Sequence, residues 1–206
     1  MKNFLAHFIS IALIPLFAPV YLFAIILFYF PQLTPIVDTS EKVIVVLTIF
    51  LITVLPPSVC IFILFKMKKI SSVTLHSKKD RFIPQIFACL NYFLITFILI
   101  RKLGYNSPLT LSMISITISV IIISVINHFW KISAHASGAA GMLAIASVLY
   151  LHNHSANFML PYFALLFSTV AVCFARLQLR VHTISQVVAG CILGSTIGFC
   201  CFYFFY

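Results

Sequence analysis

The chain has 206 residues, 63% hydrophobic and 8% charged, and its 13 Lys+Arg against 3 Asp+Glu give a formal net charge of +10. A soluble domain carries about 25% charged residues and a disordered chain needs low hydrophobicity, so both classes are excluded. The acids Asp38, Glu41 and Asp80 are too few for a two-metal hydrolase, a paired-carboxylate glycosidase or a calcium site, and a body this apolar cannot carry the soluble basic face that nucleic acid requires.

What remains is an all-α, multi-pass membrane protein. A spanning helix needs about 20 mostly apolar residues. Seven runs are candidates, at 4–30, 43–65, 82–100, 108–126, 136–151, 158–174 and 187–206. The first starts after Lys2 like a signal peptide, but it is too long and has no small-residue cleavage site. Pro15 and Pro19 each delete a backbone donor there. The run is therefore one kinked span or a partly re-entrant segment, and the span count is six or seven. Pro56-Pro57 kinks the second run. Broken backbone in a membrane needs neighbours that re-satisfy it; packed helices do this, and lining a ligand cavity is the other outcome. The fifth and sixth runs are short, so they extend into their flanking loops or tilt within the bundle. The loops leave no room for a soluble domain. Residues 1–206 form a single integral-membrane domain with a motif-bearing core at 66–190. Cys60, Cys89, Cys173, Cys191, Cys200 and Cys201 lie in or at the ends of apolar runs, without metal-ligand spacing to His. They read as small buried hydrophobes.

With seven spans, the N-terminus and segments 66–81, 127–135 and 175–186 share one membrane face, face A. Segments 31–42, 101–107, 152–157 and the C-terminus share face B. Ten of the 13 basic residues fall on face A. A Lys/Arg excess is usual for cytoplasmic loops, which accounts for Lys2, Lys66, Lys68 and Lys69. It does not account for Arg176 and Arg180 among apolar residues beside His182, or for His135 in a Ser/Ala/Gly-rich stretch. Ionisable groups converging from separate helices at membrane depth point to a functional site.

Three face-A segments carry that site. In Ser77-Lys78-Lys79-Asp80-Arg81-Phe82-Ile83-Pro84, Lys78 and Arg81 share a helical face. Two cations at a bundle mouth suit an anionic headgroup; a stop-transfer cluster is the alternative. In Lys131-Ile132-Ser133-Ala134-His135-Ala136-Ser137-Gly138, small residues allow close backbone approach. The following helix start offers N–H groups to an anion, with His135 in or beside that pocket. In Ala175 to Gln186, His182 and Gln186 are four apart. On a helix beginning near His182, Gln186 accepts from Nδ1–H and leaves Nε2 unprotonated, as a nucleophilic imidazole requires. Arg176 supplies a planar fork matched to phosphate. His7, His76, His128, His152 and His154 show no partner spacing, and His152-Asn153-His154 reads as a face-B loop.

Taken in order, the three segments resemble the type-2 phosphatidic-acid phosphatase superfamily, which includes the vanadium haloperoxidases, and look like its short bacterial integral-membrane members. The family pattern is K-x6-R-P, then P-S-G-H, then S-R-x5-H-x3-D. Here stand Arg81-x-x-Pro84, then Ile132-Ser133-Ala134-His135, then Ala175-Arg176-x5-His182-x3-Gln186, over roughly residues 78–190. The resemblance implies a metal-free, cofactor-free phosphatase acting on a lipid phosphate or diphosphate in a bacterial inner membrane. By that likeness His182 attacks phosphorus and forms a phosphohistidine, His135 protonates the leaving oxygen, and water hydrolyses the intermediate. Arg81, Arg176, Ser133 and nearby backbone N–H groups hold the phosphoryl oxygens.

The departures are specific. The family's first lysine falls at Thr74, so Lys78 stands as a displaced substitute. Pro84 is two residues late. Ala134 replaces Gly, Ala175 replaces Ser, and Gln186 replaces Asp. An amide can hold a tautomer but does not stabilise an imidazolium, and a comparable exchange in another triad costs on the order of 10⁴ in rate, partly because there it selects the wrong tautomer. Asp80, the acid on face A, is the candidate replacement. The alternative function, carried by Gln186 and the incomplete first motif, is a lipid-phosphate binder or transporter on the same scaffold. Charge alone places face A in the cytoplasm, whereas the resemblance implies an extracytoplasmic site.

Overall fold

Long apolar runs fold as helices in a membrane because each backbone polar group must be satisfied within its own segment. The structure, a computed structural model, describes residues 2–73, 78–153 and 158–206, apart from the side chains of Lys2, Lys78 and Lys79. Among the described residues there are nine α-helices and no strand: α1 (Lys2–Ala12), α2 (Ala18–Tyr29), α3 (Thr39–Thr53), α4 (Leu55–Lys66), α5 (Lys78–Leu103), α6 (Pro108–Phe129), α7 (Ala134–Asn153), α8 (Met159–Gln178) and α9 (Ile184–Phe205). Seven stretches are long and apolar enough to cross a membrane: Asn3–Tyr29, Thr39–Lys66, and one in each of α5 to α9. The chain is an all-α, multi-pass membrane bundle.

The first span is broken at its middle. A 3₁₀ turn, Pro15–Phe17, separates α1 from α2. Pro15 has no N–H, and the ladder ahead of it shifts. Leu13 N–H bonds the Ile9 carbonyl and Ile14 N–H bonds that of Ile11, so the Ser10 carbonyl is passed over. In the second span α3 and α4 meet at Val54, and Pro56-Pro57 lie in the first turn of α4, where a missing N–H is tolerated. The Thr53 and Ser58 hydroxyls donate to the Ile49 and Val54 carbonyls, both at 2.7 Å, and so re-satisfy this break. The fifth and sixth runs extend into their flanks, giving α7 and α8 20 residues each. His152 and Asn153 belong to the last turn of α7 rather than to a loop. His154 lies outside the described residues.

α7 packs most extensively on α9. The cause is a row of glycines four residues apart. A methyl group on Gly194 would sit 2.0 Å from the Ser137 carbonyl oxygen; on Gly190, 2.5 Å from that of Ser133; on Gly198, 2.7 Å from that of Gly141. Small residues at this spacing let membrane helices meet backbone to backbone, where lipid offers no hydrophobic drive to associate. The glycine row therefore brings the His135 and His182 segments together. Toward face B the packing differs. Phe23, Phe30, Phe158 and Phe202 are each under 2% exposed, and the Phe30 and Phe158 rings lie 4.7 Å apart. All six cysteines are free and at least half-buried.

Candidate functional site

The third segment is built by a tight reversal. At the end of α8, Leu179 and Arg180 N–H groups bond the Ala175 and Leu177 carbonyls. Arg180 adopts a left-handed conformation (φ +51°) just past the helix, the position that turns a chain away from a helix end. Thr183 then caps α9. Its hydroxyl accepts from Gln186 N–H at 3.4 Å, and Gln186 Oε1 accepts from Thr183 N–H at 3.2 Å, a reciprocal capping box. His182 thus precedes the helix, which corrects the expectation that α9 begins at about His182. Gln186 reaches it nonetheless: Oε1 lies 3.1 Å from His182 Nδ1. The Thr183 N–H identifies Oε1 as an acceptor, so Nδ1–H donates and Nε2 keeps its lone pair.

In the second segment Ser133 is fully buried. Its hydroxyl accepts from Ala136 N–H at 3.3 Å, and its N–H donates to the Gln186 carbonyl at 3.2 Å. Ser133 was expected among the groups on phosphate. Its place is behind them, capping α7 and tying α7 to the start of α9. His135 stands in the first turn of α7, with Nε2 3.1 Å from the Ser10 carbonyl that the Pro15 break releases. A carbonyl only accepts, so Nε2 carries the hydrogen.

The cations come from three further places. Arg81 lies in the first turn of α5 and Arg176 in the last turn of α8. Arg176 Nε is buried without a hydrogen-bond partner. Lys131 Nζ donates to the Val181 carbonyl at 2.6 Å, one residue before His182. Lys131 heads the second segment, four residues before His135, but spacing alone assigned it no role. Its charge joins the others: burial first, then Arg81 and Arg176, pull its amine below the ordinary lysine range. Burial also pushes the His182 imidazole down to about 4; the Gln186 bond opposes this, while Arg176, Lys131 and Arg81 add to it. His135 lies within electrostatic reach of Arg176 and His182. Like charges crowded at membrane depth repel one another, and a buried guanidinium N–H without an acceptor is unfavourable. An anion with several oxygens relieves both.

Two other expectations meet the structure differently. Lys78 begins α5, but its side chain, like all of Thr74, lies outside the described residues. Asp80 is buried and does not back the histidine. Its Oδ2 accepts from Ser71 N–H at 3.1 Å and from the Ser71 hydroxyl, tying Ser71 to the first turn of α5. The partner on His182 Nδ1 is Gln186. No protein-family model matches the chain, and no curated protein or solved structure is found to be similar to it.

Proposed function

We propose that this protein is a metal-independent membrane phosphatase that hydrolyses a lipid phosphate or diphosphate through a phosphohistidine intermediate, in a bacterial inner membrane. The observation that carries the reading is His182. Its Nδ1–H is held by Gln186, and the charges of Arg81, Lys131 and Arg176 surround it. The likeness to the type-2 phosphatidic-acid phosphatases lends it a mechanism.

In that mechanism the Nε2 lone pair attacks phosphorus and the bond to the leaving oxygen breaks. His135, doubly protonated once the anionic head is bound, passes its Nε2 proton to that oxygen, which takes the place of the Ser10 carbonyl, and is left as neutral imidazole. Water then gives a proton to the His135 Nε2 lone pair and attacks the phosphohistidine, the P–N bond breaks and phosphate leaves. Arg81, Arg176 and Lys131 bind the phosphoryl oxygens and offset charge developing in the transition state. Gln186 fixes the tautomer but adds no negative charge, so the imidazolium is less stabilised than beside a carboxylate.

The test is phosphate release from a panel of lipid phosphates in detergent with EDTA. His182→Ala should lose a factor on the order of 10⁴ or more, as removal of a nucleophile does. Undiminished release by His182→Ala would sink the proposal. A second reading, a lipid-phosphate binder or transporter, is favoured by the amide at position 186. Retained binding without release from any of the panel would select it.

A further inference from the structure

Beneath the cationic cluster the bundle holds a half-open cavity of about 270 Å³ with almost wholly apolar walls. Its upper end adjoins the candidate site: Ala134, which precedes His135, and Pro84, three residues past Arg81, both line it. It then follows one face of α7 through Ser137, Gly138, Gly141, Met142 and Ile145. Eleven residues of helix from Ala134 to Ile145 make roughly 16 Å, about half of a hydrocarbon core some 30 Å thick. That volume over that length is a narrow slot, not a chamber.

Two further observations point to a ligand. Pro15, Pro57 and Pro84, from three different spans, all line this cavity. Each lacks a backbone donor; Pro15 and Pro57 stand at the breaks in the first and second spans and Pro84 lies within α5, so three proline-bearing helix faces meet on the slot. Ser137 is 1% exposed, lines the slot about one turn below Ala134, and its hydroxyl has no partner. By contrast, the Ser115 and Ser124 hydroxyls in the same walls donate to the Leu111 and Val120 carbonyls of their own helix. A polar solute would find nothing to bind along most of this length. A hydrocarbon chain would, with the Ser137 hydroxyl free for the last oxygen of the head before the chain begins.

We infer that this slot takes one hydrocarbon chain of a phosphate-headed amphiphile into the bundle, instead of leaving it in the surrounding bilayer. The inference rests on the phosphatase reading for the head and on the cavity for the chain. The shared chemistry is one long alkyl or isoprenoid chain joined to a phosphate, and a chain fits because the upper end of the slot, at Ala134 and Pro84, adjoins the segments that carry His135 and Arg81.

The test uses a long-chain phosphonate, whose P–C bond resists hydrolysis, with a photoactivatable diazirine at mid-chain. One version has a saturated chain and one an isoprenoid chain. Illumination of the intact protein in detergent should label slot residues such as Ala88, Ser119 and Met142. Labelling by either probe supports the slot, and the probe that labels names the source of the chain. Label confined to the exposed outer residues Phe93 and Leu94 overturns it. Ala88→Phe and Ser119→Phe, which fill the slot, should each lower kcat/KM for long-chain phosphates by about tenfold and leave a soluble aryl phosphate unchanged. Undiminished long-chain turnover in both variants also overturns the inference. Slot labelling without turnover of any substrate would sink the phosphatase reading and leave the slot standing. Turnover with label only on the outer faces would do the reverse.

Discussion

Toward face B the helices meet through large side chains: Phe23, Phe30, Phe158 and Phe202 are each under 2% exposed, and between them they fill the space. Toward face A the helices meet through glycine backbone, three prolines line a cavity, and cations gather above it. Close packing gives a base whose volume cannot change without cost. Backbone contact and proline breaks instead leave room, and set polar atoms where helix ladders would have used them. The Ser10 carbonyl that receives His135 is one such atom. The face-B half holds the bundle's shape, and the face-A half uses it.

Phe158→Ala should therefore cost about 3–5 kcal/mol of stability, the usual range for emptying a large aromatic site, seen as a lower unfolding temperature in detergent. Phosphate release per folded molecule should be unchanged. A parallel loss of release would break the division between the halves. Gly194→Ala sets a methyl against the Ser137 carbonyl, where 2.0 Å is available. The two backbones must separate, at about 3 kcal/mol, the upper end for overpacking. Here release per folded molecule should fall as well, because the same contact sets the distance between the His135 and His182 segments. Stability lost with full release retained would show that the glycine row serves packing alone.

Much of the fold was legible because hydropathy over 20-residue windows reports spans directly: the seven runs and the seven stretches coincide to within a few residues. The His182–Gln186 pairing was legible as a spacing of four, yet the reason it forms was not. It comes from the capping box at Thr183, which places His182 before the helix instead of on it. Ser133 was readable as a motif position but not as a cap, since nothing local tells whether a serine faces a ligand or the next N–H. Lys131 escaped because its partner, the Val181 carbonyl, is 50 residues away. Asp80 looked available for His182 only because both lie on face A; its carboxylate is engaged by Ser71 instead. The glycine row at 190, 194 and 198 is written in the chain, and its significance depends on which helix faces it.

Lys131→Met isolates the face-A half from the base. Removing one of several cations on a developing phosphoryl charge should lower kcat/KM by about 10². Stability should hold or rise slightly, because the repulsion from Arg81 and Arg176 is relieved. Lys131→Arg should recover part of the rate, keeping the charge but not the 2.6 Å bond geometry. An unfolding temperature that drops with no change in kcat/KM would reduce Lys131 to a tie between two loops.

The last test is the most diagnostic of Gln186. Burial and the neighbouring cations put the His182 pKa at about 4, so its unprotonated form persists down to that pH. On the phosphatase proposal, the acid limb of the kcat/KM profile that belongs to His182 should appear only below about pH 4. Folding follows the same sign: a depressed imidazole binds fewer protons folded than unfolded, so its contribution to stability is present above about pH 6.5 and lost as pH falls toward 4. Gln186→Asp places a negative charge against Nδ1–H, favours the imidazolium and raises that pKa. The acid limb should then move to higher pH while the plateau rises, since the same charge stabilises the imidazolium formed during attack. A plateau that rises with no movement of the limb would mean that position 186 acts on the reaction without acting on the His182 proton. A limb that moves with no rise would mean that the cation cluster, and not the group behind the histidine, limits the rate.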